Sequence, residues 1–498
     1  SRGYSAVQGL YNPDRLSSPM LRGADGFSAI EWDEAEGLLA ERLRESRNNI
    51  FLAGKMGPSL TSLVDNFMAV AGGVRREYEG LSAAPLREAT RIAFGRSRLP
   101  TYDFEQARLV FSFGADFLET WLSPVEYHRG FSRMAGVDDH GSKGRMVFLA
   151  PRLSLTGQNA DHWVPLNPGS EAVVALAMAH VISASGGNAG PYYQRLLEGY
   201  DPQSAQEASG VPAEEIERLA REFMDSRPSL AVGPGVSGHH RGATAANLAV
   251  HILNYVADNV GRTVRLRDLD VASPSEPYGE LASAMAAMSG SGVVMVHGTN
   301  PAYSLPPAAG FSEAFSSAAF KVSFASSMDE TAELCDLVLP DRHYLESWGD
   351  SHPRLGFYAL QQPAMQPVPL FDSKPMGDVL LSVSQRLGTD MGSATFADFL
   401  KTEWQDIQAV AAPGRDFDAF WRESLRDGVV ALPVSVEETP VPLRSPDAIL
   451  NFDVPDLDGT GEFALLVYPS PRFGDGKHGD RPWLQELPDP VSKMAWHS

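Results

Sequence analysis

The residues best placed to do chemistry are glycines that follow short apolar runs. Gly54 and Gly57, Gly114, Gly233 and Gly235, and Gly298 each stand just after such a run. At the carboxyl end of a parallel strand, a glycine lets the backbone come close to a ligand, and the next helix N-terminus faces anions. Any one of them alone reads as a tight turn. Four in one chain point to a phosphate-bearing cofactor. The strings VFSFGADFLETWLSP (110–124) and VMVHGTNPAYSLPP (294–307) share the order strand, glycine, polar residue two positions on, so an internal duplication of nucleotide-binding units is plausible. No G-x-G-x-x-G or G-x-x-x-x-G-K-[ST] string occurs, which removes the standard dinucleotide fingerprint and the P-loop.

Other candidates are more open. Asp329 and Glu330 follow a run expected to be a strand; they either bind a cofactor's hydroxyls or an amino-bearing base, or charge a helix N-terminus. None of the twelve histidines forms H-E-x-x-H, and His239 and His240 lie in a Gly-rich loop, so a zinc hydrolase is unsupported. Cys335 reads as a small buried residue.

Those groups need a scaffold of repeated strand and helix. Seven short apolar runs supply it: Ile50–Ala53, Leu109–Phe113, Met146–Leu149, Leu230–Val232, Val293–Val296, Phe320–Phe324 and Leu337–Leu339. Several are followed by helical patterns, which predicts an α/β fold whose parallel strands are buried on both faces. Trp32–Glu45 predicts an amphipathic helix, with Asp33 and Glu36 in the positions of a capping box. Residues 433–461 read as extended linker, and Phe463–Tyr468 as a strand.

Composition narrows the functional classes. The 498 residues carry a formal charge of −22, so nucleic acid and anionic lipid would repel the chain at long range. A single cysteine permits no intramolecular disulfide, and no Cys-held zinc or iron–sulfur centre can be built from this chain alone. The longest apolar stretch, Ala172–Ala184, is shorter than the roughly 20 residues a membrane span needs.

Together the strings LYNPDRLSSPM, APRLSLTGQNADHWVPLNPGSEAVVALAMAHVI and NPAYSLP…FKVSFASSMDETAELCDLVLPDRHYLESWGD resemble the molybdopterin oxidoreductases of the DMSO reductase superfamily, over essentially the whole chain. SFGADFLETWLSP, HYLESWGD and RPWLQELPDP look closest to the catalytic-subunit-like half of the large iron–sulfur subunit of alternative complex III, and the menaquinone reductase complex has a similar subunit.

The resemblance implies two Rossmann-like doubly wound domains, one of them discontinuous. It implies a remnant of an iron–sulfur domain at 1–45, a discontinuous domain at 46–83 and 256–420, an inserted domain at 84–255, and a linker leading into a C-terminal barrel domain at 421–498. The family cofactor is bis-molybdopterin guanine dinucleotide with molybdenum. The family's last cluster cysteine would fall one residue ahead of Ser1.

Motif by motif, Pro168, Gly169, Ser170 and Glu171 match the element whose carboxylate meets a guanine base. Arg152 matches a basic residue near phosphates, and Gly298, Thr299, Asn300 and Pro301 match the second nucleotide turn. Ser82 stands at the metal-ligand position, where an ordinary loop serine is the competing reading. The first nucleotide turn is altered to Gly114, Ala115, Asp116 and Phe117, which brings a carboxylate toward a pyrophosphate; such a charge is stable only if protonated or paired. Gly349 and Asp350 replace a second anion-binding element.

The expectation is therefore a subunit that binds no cofactor itself. The resemblance places it on the periplasmic face of the bacterial inner membrane, beside an iron–sulfur domain or subunit, quinol-oxidising integral membrane subunits and cytochrome subunits. The alternative is an active reductase of a sulfur compound or oxyanion in which Ser82 ligates the metal.

Overall fold

The computed structural model describes residues 2–137, 141–187, 189–235, 240–266, 278–432, 441–445, 451–454 and 461–496. His239 and most of the expected linker lie outside them. The chain divides into two compact units: Ser1–Ser82, Val271–Val434 and Asp475–Leu484 form the first, and Ala83–Asp270, Ser435–Gly474 and Gln485–Ser498 the second.

The first unit is built on a seven-stranded sheet. Its parallel centre runs Leu337–Pro340, Phe320–Ala325, Val293–His297, Asn49–Ala53, Gly73–Glu77, and the antiparallel hairpin Met20–Gly23 and Gly26–Ala29 extends one edge. Every residue of Asn49–Ala53 is buried, as expected for a strand covered on both faces. One face packs against the helices Trp32–Glu45, Pro58–Ala71 and Met376–Arg386 through Leu39, Phe67 and Val379; the other carries Leu281, Phe315 and Cys335. The helix Trp32–Glu45 forms without the expected capping box. Asp33 instead accepts from Arg386 at 2.6 Å, and Glu36 accepts from Lys374 at 2.7 Å and from Ser382 at 2.6 Å. Distant cations outcompete the local backbone for both carboxylates.

The second unit holds a four-stranded parallel sheet in the order His162–Val164, Arg145–Leu149, Leu109–Ser112, Ser229–Val232. The helix Glu171–Ala184 is apolar nearly all round because it is sandwiched, packing against Ala213–Asp225 and Ala243–Val256. The apolar stretch Ala172–Ala184 is thus part of the core, and among the described residues no helix is long and apolar enough to cross a membrane. Ala213–Asp225 shows the complementary pattern, burying Ile216, Leu219, Ala220 and Phe223 at helical spacing.

All seven apolar runs are strands, and each pairs in parallel with a neighbour. Phe463–Tyr468 is the exception among the expected strands. It pairs with no neighbour among the described residues, and Phe463, Leu465 and Val467 are exposed.

Candidate functional site

In each unit two glycine turns follow adjacent parallel strands and touch. A Cβ on Gly235 would stand 1.7 Å from the carbonyl oxygen of Gly114, and one on Gly54 would stand 2.2 Å from that of Gly298. Gly114 and Gly298 themselves adopt left-handed backbone, with φ of 74° and 66°. The two turns therefore share a backbone design and differ in the side chains they carry.

In the second unit, the backbone carbonyl of Asp116 accepts from the N–H groups of Glu119, Thr120 and Trp121 at 2.9, 3.0 and 3.1 Å. This fold-back puts the carboxylates of Asp116 and Glu119 on one side of the turn. Arg152, in the loop after the strand Arg145–Leu149, donates to Asp116 Oδ2 at 2.6 Å and lies 3.9 Å from Glu119 Oε2. The N–H of Leu155 donates to Glu119 Oε1 at 3.1 Å. The guanidinium of Arg152 sits 3.7 Å from the ring centre of Tyr468, so the segment read as a strand supplies a cover for the arginine instead.

Asp116 and Glu119 are both buried. Burial pushes the Asp116 carboxyl up, while Arg152 and the Ser154 hydroxyl pull it down. Burial, followed by the negative charge of Asp116, raises Glu119 to about 7. A phosphate approaching Arg152 would meet the carboxylate already there. The residues present at this turn do not fit a pyrophosphate.

Elsewhere in this unit, Gly169 is left-handed with φ of 82°, and the Ser170 hydroxyl donates to the Asn167 carbonyl at 2.6 Å. Pro168 precedes them, and Glu171 opens the helix Glu171–Ala184 with its side chain enclosed by protein. The imidazole Nδ1 of His240 accepts from the Gly242 N–H at 2.9 Å.

In the first unit, Asn300 caps the short helix that Pro301 begins, and Thr299 is buried beside it. The Asn300 amide donates to Glu330 Oε2 at 2.6 Å, and its oxygen accepts from the Thr331 N–H at 3.2 Å and hydroxyl at 2.7 Å. The Ala302 N–H donates to the Thr331 hydroxyl at 3.1 Å. Asp329 accepts from the Ala332 N–H at 2.7 Å, and burial raises its carboxyl. The structure thus joins the Gly298–Pro301 turn to Glu330, a sequence candidate 30 residues from Asn300, while Asp329 bonds within its own turn.

A second carboxylate in this unit faces backbone amides. Asp350 accepts from the Ser59 N–H at 3.1 Å, from the Ser59 hydroxyl, and from the Trp404 indole at 3.3 Å. Ser59 lies in the first turn of the helix Pro58–Ala71, and a Cβ on Gly57 would stand 2.1 Å from the Asp350 carbonyl oxygen. A fixed carboxylate thereby occupies a helix N-terminus, where the backbone dipole favours an anion. Ser82 is partly buried in the irregular segment before the helix Ala84–Phe94.

The sequence did not single out Glu119. Its signal was the D-x-x-E spacing across a turn that doubles back.

Comparison with known proteins identifies the family from the sequence. The sequence profile described as molybdopterin oxidoreductase covers residues 15–374. The chain belongs to the molybdopterin oxidoreductase family. It is 31% identical over 442 residues to the menaquinone reductase, molybdopterin-binding-like subunit of Nitratidesulfovibrio vulgaris, covering 83% of this chain and 62% of that one. It is 30% identical to the dimethyl sulfoxide reductase DmsA of Escherichia coli, over 52% of this chain and 38% of that one. The chain thus spans less than two thirds of the length of these relatives. In fold it is similar to the acetylene hydratase from Pelobacter acetylenicus, with a TM-score of 0.66 at 16% identity, covering 86% of this chain and 68% of that one.

Proposed function

We propose that this chain is a molybdopterin-oxidoreductase-like subunit that binds no molybdenum cofactor and serves as a scaffold in a membrane-attached, quinol-oxidising electron-transfer complex. The observation that carries the reading is the ion pair between Asp116 and Arg152: the one arginine that the family pattern sets near phosphates is held at 2.6 Å by the chain's own carboxylate. Asp350 supports it independently, filling the N-terminus of the helix Pro58–Ala71 in the other unit. In this reading Asp116 and Asp350 act as fixed anions that stabilise two turns built to face phosphates, so the fold persists without a ligand.

The likeness to the Nitratidesulfovibrio relative, a molybdopterin-binding-like subunit of a menaquinone reductase, supports a quinone-linked complex. Iron–sulfur and cytochrome partners would carry the electrons, with the chain peripheral on the periplasmic face of the inner membrane. Its domains would follow the family layout, with 46–83 and 256–420 in one domain and 84–255 in the other.

A second reading is favoured by the likeness to the dimethyl sulfoxide reductase and by the intact Gly298–Pro301 turn. It is an active reductase in which bis-molybdopterin guanine dinucleotide supplies the redox chemistry and Ser82 ligates the metal. Elemental and pterin analysis of the complete protein, purified from its native membranes, separates the two. The scaffold reading predicts molybdenum and tungsten far below one per chain and no releasable pterin. A near-stoichiometric metal with pterin would overturn it.

A further inference from the structure

One guanidinium stands between two buried carboxylates. Arg152 is bonded to Asp116 at 2.6 Å and reaches Glu119 only at 3.9 Å, while Glu119 takes a single hydrogen bond, from the Leu155 N–H. The side chains of Asp116 and Glu119 are 4% and 3% exposed, so water screens neither charge. The charged groups facing Glu119 are Asp116 on its own turn, Arg152 in the loop after the strand Arg145–Leu149, and Asp489 from the segment after residue 485. With every group ionised, two buried carboxylates and the more exposed Asp489 face one positive charge. The turn itself cannot open to relieve this, because the Asp116 carbonyl holds three successive N–H groups and the Leu118 N–H is bound to the Thr156 hydroxyl at 3.2 Å.

The geometry points to a proton-binding site: the Asp116–Glu119 pair shares Arg152, holds one proton in mildly acidic medium, and releases it to solvent as the pH rises through neutrality. The proton resides mainly on Glu119, because Asp116 has the shorter contact to the guanidinium. Burial and the Asp116 charge put the Glu119 carboxyl at about 7, against an ordinary value near 4.5. The sign follows. The folded chain binds this proton more tightly than the unfolded chain does, so the group stabilises the fold least after the proton is lost. Stability therefore falls as pH rises between about 4.5 and 7.

This inference rests on the Asp116–Arg152 pair that also carries the scaffold reading. It is tested separately, since a metal analysis does not count protons and an infrared titration does not detect molybdenum. The test is infrared spectroscopy of the complete chain from about pH 5.5 to about pH 8.5, with thermal unfolding on the same samples. The wild type is expected to show a protonated-carboxyl band that disappears with a midpoint near neutrality. In E119Q that band should be missing, and the melting temperature relative to wild type should rise by about 4 °C between the two ends of the range. In D116N, which frees Arg152 for Glu119, the midpoint should move to lower pH; this second variant keeps the test usable if E119Q does not fold. An unchanged band in E119Q, an unmoved midpoint in D116N, or no neutral titration in the wild type would each overturn the proposal.

Discussion

The turns after Leu109–Ser112 and after Val293–His297 are built alike and used differently. Each carries a left-handed glycine, Gly114 or Gly298, pressed against a second glycine turn from the neighbouring parallel strand, Gly235 or Gly54. At the first turn, the residue two positions after the glycine is Asp116, which takes an arginine. At the second it is Asn300, a neutral amide that joins Glu330 and Thr331. The backbone requirement is the same in both units, since a Cβ at either contact would collide with a carbonyl oxygen. The difference lies in charge: one turn is closed by a buried ion pair, the other by a hydrogen-bonded amide. A ligand anion would have to displace a buried, arginine-paired carboxylate at the first turn, and at the second the exposed carboxylate of Glu330 that Asn300 holds, which has no cation beside it among the described residues.

The largest way to break this contrast is to remove the cation. R152A leaves Asp116 and Glu119 buried without their only close guanidinium among the described residues, and should cost about 3 kcal/mol. Hydrogen exchange should show the loss over residues 109–166 and leave the sheet of the first unit protected. Uniform loss across both units would mean that the ion pair is not a local closure of its own turn. At the second turn the expected effect is smaller. N300A removes three hydrogen bonds but buries no charge, so the loss should be about 1–2 kcal/mol, seen as faster exchange at residues 298–304 and 329–335 in denaturant-free buffer. If N300A proved as damaging as R152A, the distinction between charged and neutral closure would fail.

Backbone demands were readable from the sequence. The strands are continuous apolar runs because they are buried on both faces, and the glycines mark close approaches that no other residue fits. The family was legible from motif order, and the matching of residues 15–374 to the molybdopterin oxidoreductases agrees. Side-chain partnerships were harder to read, because they are made over long separations. That Asp116 needed a proton or a partner was evident, but Arg152 stands 36 residues away, and Tyr468, which covers it, reads as one residue of a strand. The capping box at Asp33 and Glu36 failed for the same reason: Arg386 and Lys374, more than 300 residues on, hold the two carboxylates. Local pattern cannot register competitors that arrive only when the chain has folded.

The central claim is that Asp116 has taken the place of a phosphate at Arg152, and a calorimetric titration tests it directly. Guanosine diphosphate, carrying the guanine base and pyrophosphate that the family's turns face, is added to the wild-type chain and to R152A. The account predicts no saturable heat from the wild type even at millimolar nucleotide. Micromolar binding by the wild type that R152A abolishes would show a phosphate displacing Asp116, and would contradict it.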